Sequence, residues 1–95
     1  MDPEVIWRVR EREQLERCFQ LSIAEYPEAE REGPGAESIA MTFAWEISRL
    51  LDDRDFSLPR PERFEWPHGK IRIRYRVVPM AQAVEVLEVI FSGDP

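Results

Sequence analysis

The stretch Lys70-Ile71-Arg72-Ile73-Arg74-Tyr75-Arg76-Val77-Val78, answered by Val84-Glu85-Val86-Leu87-Glu88-Val89-Ile90-Phe91, decides the fold. In its first half Ile71, Ile73, Tyr75 and Val77 alternate with Lys70, Arg72, Arg74 and Arg76. A period of two puts an apolar row on one face of a strand and a basic row on the other. The second half is rich in β-branched residues, and Pro79-Met80-Ala81-Gln82 is a short connection. Together they read as an antiparallel hairpin.

The charges set its register. Pairing Val77 with Val84 puts Arg76 opposite Glu85 and Tyr75 opposite Val86. Continued without a break, that ladder sets Glu88 beside Ile73 on the apolar face. One extra residue near Val86-Leu87, a β-bulge, instead puts Arg74 opposite Glu88, Ile73 opposite Val89 and Ile71 opposite Phe91. A cross-strand pair of opposite charges contributes roughly 0.2–1 kcal/mol. Burying a carboxylate without a partner costs several times more. The bulged register is therefore the expected one.

Working outward, Phe64-Glu65-Trp66 is a brief strand, and Pro67-His68-Gly69-Lys70 reads as a four-residue turn pairing Trp66 with Ile71 and Phe64 with Ile73. At the other end, Glu4 to Arg10 reads as a strand with Val5, Trp7 and Val9 on one side. From Glu11 to Tyr26 the period changes, and Leu15, Cys18, Phe19, Ser22, Ile23 and Tyr26 share a helical stripe. Pro27 ends that helix or restarts it through residues 28–32. Gly33-Pro34-Gly35 is a break. A second helix runs from Ala36 to Asp52, with Pro34 or Ser38 near its start. Its core stripe is Ile39, Phe43, Ile47, Leu50 and Leu51, and Met41 and Trp45 lie off it. Asp53 to Arg63, with Pro59 and Pro61, is a polar connection expected to hold no regular element.

The chain is therefore one domain over 1–95, with 1–3 and 92–95 as frayed ends. Its class is α+β and its order β-α-α-β-β-β. Two helices on one face of a small, mainly antiparallel sheet bury both stripes.

Composition narrows the function. A hydrophobic fraction of 43% and three tryptophans argue for a packed core. No apolar run approaches the roughly 20 residues of a membrane span, and the acidic Met1-Asp2-Pro3-Glu4 is no signal peptide. The lone Cys18 fits a reducing cytoplasm. One cysteine and one histidine argue against a zinc site, and no glycine-rich phosphate loop, carboxylate pair or nucleophilic triad can be assembled. No metal and no cofactor are expected. The net charge of −6 is uneven: residues 1–53 hold 13 acids and 6 bases, residues 54–95 hold 6 acids and 7 bases. Such a chain is a poor non-specific binder of nucleic acid. The basic strand face alone offers RNA or the ribosome a foothold.

Three sets of residues are candidates for function. The row Lys70, Arg72, Arg74, Arg76 could hold phosphates or an acidic partner segment, or be a solvated face half neutralised by Glu85 and Glu88. His68 could serve as a general base near pH 7, or be an exposed turn residue with no nucleophile or orienting acid beside it. Met41 and Trp45 could anchor a partner helix or a second copy of the chain, or pack beneath the proline-rich connection. Tyr75 reads as core with its hydroxyl at the rim, and Cys18 as an inert part of the first helix's stripe.

The element order, with Gly69-Lys70-Ile71-Arg72-Ile73-Arg74-Tyr75-Arg76-Val77 and then Val84-Glu85-Val86-Leu87-Glu88-Val89-Ile90, resembles the RelE/ParE superfamily of toxins. Arg72 matches that family's strand arginine, and Tyr75 and Val77 match the tyrosine and valine after it. Leu50-Leu51-Asp52-Asp53 also looks like the end of its second helix. The resemblance spans the chain by element order and residues 69–91 by motif. It implies the toxin of a bacterial toxin–antitoxin pair, held inactive by an antitoxin whose peptide wraps the sheet or helices. One branch of the family cleaves mRNA on the ribosome, and the other poisons DNA gyrase without being a nuclease. The nuclease branch uses bases on the sheet together with a C-terminal arginine and tyrosine. Here Phe91-Ser92-Gly93-Asp94-Pro95 stands where those last two belong, and Glu65 and Trp66 replace the lysines before the turn. The resemblance therefore implies action by binding. The alternatives are an mRNA interferase using Arg72 with Arg74, Arg76 or His68, and a non-toxic interaction or dimerisation module.

Overall fold

The structure, a computed structural model, describes residues 3–25, 28, 35–52, 54–57 and 63–92. Its elements are strand β1 (Glu4–Ile6), helix α1 (Val9–Leu21), helix α2 (Ala36–Leu50) and strands β2 (Arg63–His68), β3 (Ile71–Val78) and β4 (Ala83–Phe91). The four strands form one mixed sheet in the order β1-β4-β3-β2. The meander β2-β3-β4 is antiparallel, and β1 lies parallel to β4. A parallel pair needs a crossover between its strands, and everything from α1 to β3 supplies it. The class is α+β, as the sequence implies.

The central hairpin takes the bulged register. Val77 pairs with Val84, Arg76 with Glu85 and Tyr75 with Val86; then Arg74 pairs with Glu88, Ile73 with Val89 and Ile71 with Phe91. Leu87 is left unopposed. The β2–β3 turn differs from expectation. It is a two-residue turn, Gly69-Lys70, that pairs His68 with Ile71, Trp66 with Ile73 and Phe64 with Tyr75. Gly69 takes φ +60, which a tight hairpin turn needs and glycine adopts freely. Pro67 is tolerated within the strand because β2 is an edge strand. The slip is by two residues, so each side chain keeps its face.

The core lies between the inner face of the sheet and both helices, and it is centred on Phe43. The Phe43 ring meets Trp7, Trp66 and Tyr75 edge-to-face, with centroids 6.1, 5.3 and 5.4 Å away. Edge-to-face pairs are worth about 0.5–1.5 kcal/mol each beyond the area they bury. Leu15, Cys18 and Phe19 of α1, Ile39 and Ile47 of α2, and Ile71, Ile73, Val77, Val84, Val86 and Val89 of the sheet complete the core.

Several boundaries fall elsewhere than predicted. β1 stops at Ile6, and Val9 begins α1 with its side chain 75% exposed, so it does not join Val5 and Trp7. Arg8, extended at φ −96 and ψ 163, makes the change of direction. α1 ends at Leu21, short of Tyr26. There Ser22 turns its hydroxyl back onto the Cys18 carbonyl at 2.9 Å, and a 3-10 turn, Ile23–Glu25, follows. Glu28 is helical, and the rest of the 26–34 segment, with Pro27 and Pro34, lies outside the described residues. α2 is capped by Gly35 rather than by Ser38, and it ends at Leu50, which is 67% exposed instead of in the core. Extended backbone at Leu51 breaks the stripe there. The connection after α2 holds a 3-10 turn, Asp55–Ser57, that buries Phe56. Pro59 and Pro61 lie outside the described residues. Ser92 is not frayed: its N–H and its hydroxyl both donate to the Lys70 carbonyl, at 2.6 and 3.1 Å.

Candidate functional site

The basic row of β3 lies on the outer face of the sheet, away from the helices, and neighbouring strands set carboxylates beside it. Arg74 is opposite Glu65 on β2 and Glu88 on β4. Its guanidinium reaches Glu65 at 3.5 Å and Glu88 at 3.3 Å. Arg72 lies 3.7 Å from Glu65 and donates to the Gly69 carbonyl at 3.3 Å. The three side chains of the Glu65–Arg74–Glu88 row are each roughly half exposed, and exposed pairs of this kind are worth about 0–1 kcal/mol. Lys70 falls in the turn.

Glu85 is different. It is buried although it points to the outer face. Arg76 donates to its Oε1 and Arg8 to its Oε2, each at 2.6 Å. Glu85 is thus covered by two guanidiniums, one from its cross-strand neighbour and one from the residue that leads into α1. The sequence pairs Glu85 with Arg76 and Glu88 with Arg74. It gives no sign of Arg8, which lies 77 positions from Glu85, and Glu65 is also missed as a partner. The fixed side-to-side spacing of β2 and β3 is the signal that would have found Glu65. Arg63, Phe64, Glu65, Arg74, Leu87 and Glu88 line a shallow depression on this face.

His68 lies elsewhere. As the partner of Ile71 it shares the inner face with Trp66, and the two rings stack with centroids 5.1 Å apart and planes 13° from parallel. The Trp66 indole donates to Glu46 on α2 at 2.5 Å. Arg72, next to Ile71, points to the opposite face. The sheet therefore separates His68 from Arg72, Arg74 and Arg76.

A second surface runs along α2. Met41 and Trp45 are 68% and 58% exposed, as their position off the core stripe predicts. Two shallow hollows flank the Trp45 ring. One is lined by Ser38, Met41 and Thr42, and the other by Glu46, Arg49 and Leu50. The Arg49 guanidinium lies over the indole, 4.7 Å from its centroid, a cation–π contact worth about 0.5–1 kcal/mol at an exposed site. At the end of the helix, Asp52 accepts the Arg54 N–H at 2.9 Å. That bond, ahead of any charge effect, holds its carboxyl below the ordinary range.

Burial pushes the Tyr75 phenol and the Cys18 thiol above their ordinary values; nearby Asp55 adds to the first shift, and Arg17 opposes the second. Among the described residues no group of three or more His, Cys, Asp and Glu side chains could hold a metal ion. Among them, too, no helix is long and apolar enough to cross a membrane. No protein-family model, curated protein or solved structure matches the chain.

Proposed function

We propose that this chain is a RelE/ParE-like toxin component of a bacterial toxin–antitoxin pair, cytoplasmic, acting by binding its target and covered by an antitoxin-like partner. What supports the family reading is the element order β-α-α-β-β-β, with the Arg72, Tyr75 and Val77 motif on the central strand.

One observation carries the choice of binding over cleavage: Arg72 and His68 sit on opposite faces of the sheet. Arg72 can steady a phosphate, but breaking a ribose–phosphate linkage also needs proton transfers, which typically contribute 10²–10⁴-fold in rate. His68, the one histidine, is turned away from it. The arginine row is also committed to Glu65, Glu85 and Glu88. A partner segment bearing carboxylates can replace Glu65 or Glu88 at little net cost, because the pairs it breaks are exposed.

Expression from an inducible promoter in bacterial cells, with mRNA 5′ ends mapped, tests this reading. Growth arrest with unchanged 5′ ends is expected. Normal growth would refute a toxin, and new codon-phased ends lost on Arg72→Ala would refute the binding mode.

A further inference from the structure

We propose that α2 is the interface of a homodimer, in which two copies cross antiparallel through the row Glu37, Met41, Trp45 and Arg49. The proposal does not depend on the toxin reading.

The four residues follow one another at steps of four, so they form a single oblique ridge on α2. All four are exposed. The ridge carries an acid at one end, a base at the other and two large apolar side chains between. Such a ridge is complementary to its own antiparallel copy. Turned about a two-fold axis midway between Met41 and Trp45, Glu37 meets the partner's Arg49 and Met41 meets the partner's Trp45, twice over. A two-fold interface requires this self-matching. Ridges at four-residue steps interlock at about −50°, the commonest crossing of helices in globular proteins.

The surface relief fits the same arrangement. In that register the partner's Trp45 falls on the hollow lined by Ser38, Met41 and Thr42, and the partner's Met41 on the hollow beside Trp45 and Arg49. A thioether against an aromatic edge is a favourable contact. Arg49 already lies over its own Trp45, so its guanidinium is held at the end of the ridge. Glu37 is engaged by Arg12 through Oε1, and its side chain is 60% exposed, which leaves it accessible to a second guanidinium. One helix face per copy is a small interface, near or below the roughly 1,200 Å² total of stable complexes. The dimer is therefore of the weak, micromolar kind.

Sedimentation velocity and light scattering on the full chain, from about 1 to about 500 µM, test the proposal. A monomer–dimer equilibrium is expected in that range; a monomer throughout overturns the proposal, whatever other molecule the face then takes. Charge reversal tests the register. Glu37→Arg alone sets the introduced guanidinium against the partner's Arg49 at both ends, and Arg49→Glu alone sets two carboxylates together. Each variant should therefore dimerise about tenfold more weakly. Mixed, the two variants form a heterodimer in which every acid again meets a base, and association should return to within about threefold of the original. A misfolded variant cannot regain association on mixing, so failure of either variant to fold would not imitate this result. Between variants whose circular dichroism matches that of the parent, undiminished dimers of either alone, or no recovery on mixing, overturn the interface. A monomer that still arrests growth removes the interface and leaves the toxin reading standing; a dimer without growth arrest does the reverse.

Discussion

Arg74 and Glu88 face each other across β3 and β4, 3.3 Å apart at Nη1 and Oε1, because Leu87 has no partner on the neighbouring strand. The extra residue restores alternation to a segment that would otherwise turn Glu88 toward the helices. Deleting Leu87 leaves Val86-Glu88-Val89 in strict alternation, with each side chain still on its present face. The deletion variant should unfold cooperatively and lose about 1–2 kcal/mol, mostly the half-buried Leu87 side chain. Deleting Arg74 should abolish the cooperative transition, because it flips one end of β3 against both neighbours. Thermal melts followed by circular dichroism separate the two outcomes. Equal damage from both deletions would show that the bulge has a role beyond register.

Phe43 and Trp45 lie two positions apart on α2 and should behave oppositely. Phe43→Ala removes the ring around which Trp7, Trp66 and Tyr75 pack, and should cost about 3–5 kcal/mol. Trp45→Ala removes an exposed ring and its contact with Arg49, and should cost the monomer under about 1 kcal/mol. Urea titrations at low protein concentration give both values. A large monomer loss at Trp45 would make it a core residue.

Two backbone positions should also respond in opposite directions. Gly35 caps α2 at φ +57 and ψ −121, a conformation close to glycine-only, and a Cβ there would come 3.3 Å from the Phe19 ring. Gly35→Ala should therefore destabilise by about 2 kcal/mol or more. Met80 holds φ +64 in the β3–β4 turn with its side chain 89% exposed. That conformation costs a side-chain-bearing residue about 1–2 kcal/mol. Met80→Gly exchanges this for the entropy of a freer unfolded chain and should gain about 0.5–1 kcal/mol. A loss at Met80 would mean that its side chain makes a contact worth more than the strain.

Tyr75 gives the protein an alkaline limit. Burial, assisted by Asp55, raises its phenol above the ordinary value of about 10. The unfolded chain then releases this proton first. The stabilisation is complete below about pH 10 and is lost as pH rises toward the folded value. Tyr75→Phe should flatten the fall in melting temperature above about pH 10. If the variant's melting temperature falls as steeply as the parent's, some other group sets the limit.

The hairpin was legible because its signals are local. Alternating Ile and Arg set the faces, and the misplaced Glu88 required the bulge. Parity also survived the wrong turn length at Gly69-Lys70, since a slip of two residues returns every side chain to its face. The rest depended on what lies across the fold. Leu50 continues the stripe of α2 by angle, but the helix ends under it. Val9 alternates correctly with Trp7, but the chain has already turned into α1. Phe56 sits in a stretch that reads as polar and is nevertheless buried. At the candidate sites, the residues of the basic row and of the α2 face were found. Arg8 was not, because it reaches Glu85 from a segment 77 positions away. Glu65 and the opposite placement of His68 and Arg72 were not, because they follow from the β2–β3 register set by the two-residue turn.

Gln14 carries a consequence of its own. β1 covers the border of β4 only from Ala83 to Glu85, although β4 runs on to Phe91. Beyond that point the Val89 amide donates to the Gln14 side chain of α1 at 3.1 Å. One amide from a helix thus occupies a position that another molecule's strand would otherwise find open. Unpaired strand borders are where soluble sheets begin to grow from chain to chain. Gln14 therefore does two things at once: it satisfies the amide of a buried residue and closes the border of β4 to the strand of another molecule.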